Sequence, residues 1–280
     1  MKTLQNTVEK IDKFFFDFYI NKETSATEIH NFLLDYVDFI MLYNNLDATN
    51  YKTTIHMVKN FGENVEDFTL KQRKLKQKLR NKENIKKAKH KPYCLTIAQC
   101  CYNTEKKIFN IYLNKKHFKS TNIEDIENFA SLISSIGHEV EHLVQEYISK
   151  DLVNYIEDCY VDKLEEFLYQ TRKHGTTGNY IKRLTRKLHT HADNFSILNT
   201  CETNADNNAV VYYQELYKLI LNSTDRNNFY YYFLYDIYLE LNRIQDCREM
   251  CYELCEKQEK SIQNSLINDY CIDSSVLEIP

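Results

Sequence analysis

At 280 residues with 43% hydrophobic side chains, the chain can bury a substantial core, which sets intrinsic disorder aside. A formal net charge of −4 excludes a surface built throughout to wrap nucleic acid, because phosphate binding shows as a basic excess. Four Gly and two Pro leave few breakers, so a mostly helical protein is expected.

Apolar residues recur at helical spacing up to about residue 60 (Phe14, Phe15 and Phe18, then Ile29, Phe32, Leu33, Tyr36, Val37 and Ile40). With NKETSATE between them as loop and cap, two or three packed helices are predicted. From Lys71 to Lys91 Lys and Arg are dense, and Glu83 is the one acid. This segment reads either as a solvated helix and linker or as a basic surface that meets an anionic partner. It contains no aromatic residue, so base stacking is poorly supported and nucleic acid is not the expected partner.

The period then changes. PYCLTIAQCCY, the polar NTEKK and IFNIYLN form two β-type runs around a turn, a hairpin whose second strand is Ile108 to Asn114. Thr121 and Glu124 fit a capping box that opens a helix running to about Ile148, with apolar positions Ile126, Phe129, Ile133, Ile136, Val140, Leu143 and Tyr147. A second long helix is expected from Asp151, followed by a loop holding Gly175 and Gly178 and by the basic, His-bearing YIKRLTRKLHTHADN. The helical pattern returns from Cys201 to about Ser265. Three regions follow: 1–90, helical with the basic segment; 91–215, the core; and 216–280, helical again.

Nine scattered cysteines read as reduced thiols of a cytosolic compartment, and Cys247, Cys251 and Cys255, one turn apart, as a buried helical face. The start, MKTLQNTVEKIDKFFF, has no uninterrupted apolar stretch of the kind a leader carries, and the apolar run at 229–235 is too short to span a bilayer. The expectation is a cytoplasmic protein, or one delivered into a host cytosol.

The chemistry-bearing stretch is SSIGHEVEHLVQ, which reads His-Glu-x-x-His. On a helix His138 and His142 lie one turn apart on one face, so both imidazoles can reach a single zinc ion at about 2.0–2.1 Å. Glu139 stands about 100° around from His138, beside the metal, where a general base can take the proton of an attacking water. Glu141 faces elsewhere and is given no role. A catalytic zinc needs a third protein ligand and an open position. Glu202, sixty positions after His142, opens Glu-x-x-Ala-Asp-x-x-Ala on an expected helix. Asp206 shares its face and could accept a hydrogen bond from a ligand imidazole, and the small Ala205 and Ala209 would let this helix approach the motif helix closely. Glu157, fifteen positions after His142, is the alternative third ligand if the chain reverses near Lys150. His189 and His191 read as ordinary surface or helix-end histidines or, alternatively, as donors to an oxyanion, a job Tyr212 and Tyr213 could also do, and Cys201 reads as core rather than nucleophile.

The pair GHEVEH and ETNADNNA resembles the gluzincin metallopeptidases, and the second motif is similar to that of the heat-shock and CAAX-prenyl-protease type. The resemblance covers about residues 95 to 215. It implies an α+β, mainly α, zincin-like core with a small β-hairpin and an active-site helix, flanked by further helices. It also implies one Zn2+ per chain on His138, His142 and Glu202, with Glu139 as base. The expected activity is hydrolysis of a protein or peptide substrate lying extended along the strand Ile108 to Asn114. The chain departs from the membrane-embedded relatives in having no apolar span, so their lipidated substrates do not carry over. Two rival readings are a metal-holding binding module without catalysis and a helical structural protein with an accidental motif.

Overall fold

The computed structural model describes residues 2–21, 24–58, 98–103, 106–114, 126–149, 183–184, 186–188, 190–191, 194, 198, 200–223 and 225–270. The fold is α+β and mainly helical. The described residues include the long helices α1 (Leu4–Asn21), α2 (Ala26–Tyr43), α3 (Ile126–Ser149), α4 (Thr200–Ser223) and α5 (Asn228–Tyr270), a 3-10 turn at Ala48–Asn50, further helical residues between 183 and 198, and the strands β1 (Lys52–Val58), β2 (Ala98–Asn103) and β3 (Ile108–Asn114). Contacts divide the chain into two compact units, Met1–Val144 with Asn208–Leu241, and Gln145–Asn207 with Asn242–Pro280.

In the first unit α1 and α2 pack together as their apolar spacing dictates. Ser25 caps α2: its hydroxyl accepts from the Glu28 backbone N–H, and the Glu28 carboxylate accepts from the Ser25 N–H at 2.7 Å. That reciprocal bonding holds the Glu28 carboxyl below its usual range. The core is aromatic. Phe129, in the first turn of α3, sits among Phe15, Phe18 and Phe32, with ring centroids 5.8, 6.0 and 5.4 Å away, and Tyr213 of α4 meets Phe15 edge-on at 6.2 Å. Such offset and edge-to-face pairs add about 0.5–1.5 kcal/mol each beyond area burial, so the start of the motif helix is firmly seated. Asp12, buried in α1, is met by Arg226 at 2.9 Å and by the Tyr230 hydroxyl at 2.7 Å, which ties α1 to the start of α5.

The sheet has the order β1-β3-β2, with β1 parallel and β2 antiparallel to β3. The hairpin is present where expected, and Lys107, at φ 53, lies in its turn. Two expectations are corrected. Lys52–Val58 is a strand, not part of the N-terminal helices: Thr53, Thr54, Ile55 and Val58 are β-branched, and pairing with β3 outweighs the short helical pattern. Ile108–Asn114 is the central strand, with both edges already paired, so it offers no edge to an extended substrate. Its Phe109, Ile111, Tyr112 and Leu113 are buried on both faces, as a central strand requires.

In the second unit Leu184, Leu188 and Leu266 are buried, and Lys187 bonds Ser265 and lies 5.8 Å over the Tyr270 ring. The cysteine row of α5 corrects a third expectation. Cys247 and Cys251 are exposed and Cys255 partly so, beside the exposed Met250 and Leu254, because helical spacing puts the thiols on one face without deciding which face is covered. The basic segment 71–91, the cap at 121–124 and the helix expected from Asp151 lie outside the described residues. No helix among the described residues is long and apolar enough to cross a membrane.

Candidate metal centre

α3 is buried along nearly its whole girth. Phe129, Ala130, Ile133, Ile136, Val140, Leu143 and Val144 are core residues, and Ser134, Ser135, Glu139 and Glu141 are buried with them. The Ser135 hydroxyl is absorbed by the Ser131 carbonyl at 2.8 Å. His138 and His142, one turn apart, keep partial exposure. Their Nε2 atoms face each other at 3.1 Å, with ring centroids 4.7 Å apart and ring planes at 86°. A tetrahedral ion at about 2.0–2.1 Å from two nitrogens holds them roughly 3.3 Å apart, so the rings are already near ligating geometry.

Glu202, in the first turn of α4, completes the group: one ligand atom from each of His138, His142 and Glu202 falls within 4.8 Å of the others. A carboxylate is also stabilised in the first turn of a helix by the partial positive charge of its N-terminus. All three side chains are partly exposed, so water can reach the group. Two imidazole nitrogens and one carboxylate oxygen are a donor set that a catalytic zinc takes, with an open coordination position left over. Glu139 is 7% exposed and has no hydrogen-bond or ion-pair partner among the described residues.

The helices are held against each other at points that the local sequence explains. A Cβ on Gly137 would stand 3.0 Å from both Cα and Cβ of Ala209, so glycine is what allows the close approach of α3 to α4. Ala205 and Ala209 are fully buried, as their small size suggested. Next to this contact lies a buried polar cluster that sequence reasoning missed. Glu141 accepts from Asn208 Nδ2 at 2.8 Å and from the Tyr212 hydroxyl, which in turn accepts from Asn44 Nδ2 at 3.1 Å. Burial and then the bond to Glu141 push the Tyr212 phenol well above its ordinary range. The signal for Glu141 was available, since an acid flanked by Val140, Leu143 and Val144 on a helix this apolar must find buried partners. One turn on, Gln145 Nε2 donates to the Cys201 carbonyl at 3.1 Å.

Asp206, one turn after Glu202, is buried, and α5 engages both its oxygens. Arg248 lies 2.6 Å from Oδ1, and the Tyr252 hydroxyl donates to Oδ2. Burial, then the bond and charge of Asp206 and, more weakly, the charge of Glu202 raise the Tyr252 phenol far above its usual range. Gln245 Nε2 reaches Asn207 Oδ1 at 2.7 Å. Nothing in the spacing of the sequence pointed to Arg248 or Tyr252.

The remaining candidates separate. His191 is buried with its Nδ1 against Glu259 Oε1, and Asn194 Nδ2 donates to Glu259 Oε2 at 3.1 Å. Tyr213 donates its hydroxyl to the Leu234 carbonyl at 2.9 Å, and Tyr212 donates to Glu141, so both phenols have structural partners. Cys201 is partly exposed. Glu157 and His189 lie outside the described residues. Compared with protein-family models, curated proteins and solved structures, the chain finds no match.

Proposed function

We propose that this chain is a zinc-dependent metallopeptidase of gluzincin type, with a zincin-like core, that hydrolyses peptide bonds of a protein substrate in a cytosol, its own cell's or a host's. The observation that carries the reading is the convergence of His138, His142 and Glu202, with one ligand atom of each within 4.8 Å of the others. Zinc bound there would act as a Lewis acid, polarising a carbonyl and making water acidic near neutral pH.

The chain's own residues supply the rest. Glu139, on the helix between the two histidines, takes the proton of the attacking water and passes it to the leaving amine. It is 7% exposed on the same helix that carries both histidines, which suits a group that must stand beside the ion without ligating it. Glu202, rather than Glu157, serves as third ligand. Since β3 is interior, an extended substrate that adds to the sheet does so at β1 or β2, the outer strands among the described residues.

The test is Glu139→Gln. The substitution keeps size and helix and removes the proton acceptor, a loss of positioned acid/base catalysis that typically costs about 10²–10⁴-fold. Wild type and variant are each incubated with cell extract, and new protein N-termini are compared by mass spectrometry. Cleavages made by wild type, suppressed by a zinc chelator and missing with the zinc-loaded variant support a peptidase. Identical profiles from zinc-loaded wild type and variant overturn it in favour of a metal-holding binding module.

A further inference from the structure

Glu202 sits where a helix is weakest. The first turn of an α-helix lacks half its backbone bonds and frays first. A ligand placed there binds tightly only if the turn is held by something else. In this structure much of the holding comes from α5. Gln245, Arg248 and Tyr252, at spacings of three and four residues, share one face of α5 and meet Asn207 and Asp206 of α4. Gln145 of α3 adds the bond to the Cys201 carbonyl, on the residue before Glu202.

The chemistry at Asp206 is specific. It is 6% exposed, lies on the same face as Glu202 one turn away, and has Arg248 at one oxygen and the Tyr252 hydroxyl at the other. A buried carboxylate left without these partners would turn toward the nearest cation or take up a proton, and either change would disturb the neighbouring ligand. We propose that Arg248 and Tyr252 are positioning residues of the metal centre. With the Arg248 charge beside one oxygen of Asp206 and the Tyr252 hydroxyl bonded to the other, they hold the first turns of α4 in the register that presents Glu202 to a divalent zinc ion. This inference rests on the metallopeptidase reading for the identity of the ion, and it extends the site to the long C-terminal helix.

The probe is Zn2+ itself, titrated into full-length apo protein against a chromophoric chelator, with Co2+ substitution as a spectroscopic check on ligand geometry. Tyr252→Phe and Arg248→Met are each expected to weaken zinc about 10–100-fold, the usual effect of removing a partner that orients a ligand. Each should also alter the visible Co2+ bands. Arg248→Lys keeps the charge and should recover part of the loss. In an Asp206→Asn background the two substitutions should add little, because they act through that carboxylate. Lys257→Ala, on the same helix with an exposed side chain, should change nothing. A merely structural role would lower thermal stability and leave zinc affinity and the Co2+ spectrum of the folded fraction unchanged. That outcome overturns the inference while the metallopeptidase reading stands. Wild type that binds no zinc overturns both.

Discussion

Gly137→Ala is a sharp probe of the helix pair that carries the site, because its sign runs against the rule. In a helix interior, alanine is favoured over glycine by about 1 kcal/mol. Here the added Cβ would meet Cα and Cβ of Ala209 at 3.0 Å each. Apolar carbons rest about 3.5–4.0 Å apart, so the overlap is one that a side-chain rotation cannot relieve, since one of the contacted atoms is backbone. The helices α3 and α4 must separate where Gly137 and Ala209 meet. Overpacking of this kind costs about 1–3 kcal/mol, and the helical preference of alanine offsets about 1 kcal/mol, which leaves a net loss of up to about 2 kcal/mol. A loss of 1 kcal/mol lowers the unfolding temperature by about 2–4 °C for a domain of some 150–250 residues. Urea unfolding followed by circular dichroism reads the free energy, and a thermal scan reads the midpoint. Ala209→Gly in the Gly137→Ala background removes one of the two close contacts and should recover part of the loss. If Gly137→Ala raises stability by about 1 kcal/mol, as at an open helical position, the close approach of α3 and α4 is wrong.

Two further outcomes follow from buried carboxylates. Tyr212→Phe takes a donor from Glu141, which is 5% exposed and keeps Asn208, and should cost about 1–3 kcal/mol; an unchanged urea midpoint would contradict the network. Asp38, 6% exposed on α2 with Lys2 at 2.6 Å, has its carboxyl raised, chiefly by burial. The folded state therefore holds the proton more tightly than the unfolded chain, so stability from this group is present below the ordinary carboxyl pKa of about 4 and falls as pH rises through the raised value. Asp38→Asn should be more stable than wild type at pH 7, with the difference closing toward pH 4, and thermal midpoints across that range check the slope.

How far the sequence foretold this structure depended on whether the deciding interaction was local. The Ser25 and Glu28 cap, the hairpin around Lys107 and the helices from Thr200 onward rest on neighbours in sequence, and each was legible there. So was the approach of α4 to α3, through the small Ala205 and Ala209, although the part Gly137 plays in it shows only in the structure. β1 was not legible: its partner Ile108–Asn114 lies more than fifty residues on, and its own seven residues are too few to set a period. The same insertion made β3 an interior strand, which no reading of the hairpin alone could reveal. The row Cys247, Cys251 and Cys255 fixed a face of α5, but whether that face is covered depends on which other elements pack against it. Arg248 and Tyr252 are ordinary residues of a polar helix until the fold brings Asp206 to them.

The central claim is a zinc held by His138, His142 and Glu202, and the direct measurement is metal content. Wild type, reconstituted with Zn2+ and dialysed against a weak chelator, should retain about one zinc per chain by plasma mass spectrometry, as three protein ligands allow. His138→Ala, His142→Ala and Glu202→Ala should each lose it, while Glu157→Ala should keep it. Wild type without zinc would contradict the account at its root. Zinc retained by Glu202→Ala and lost by Glu157→Ala would move the third ligand to Glu157.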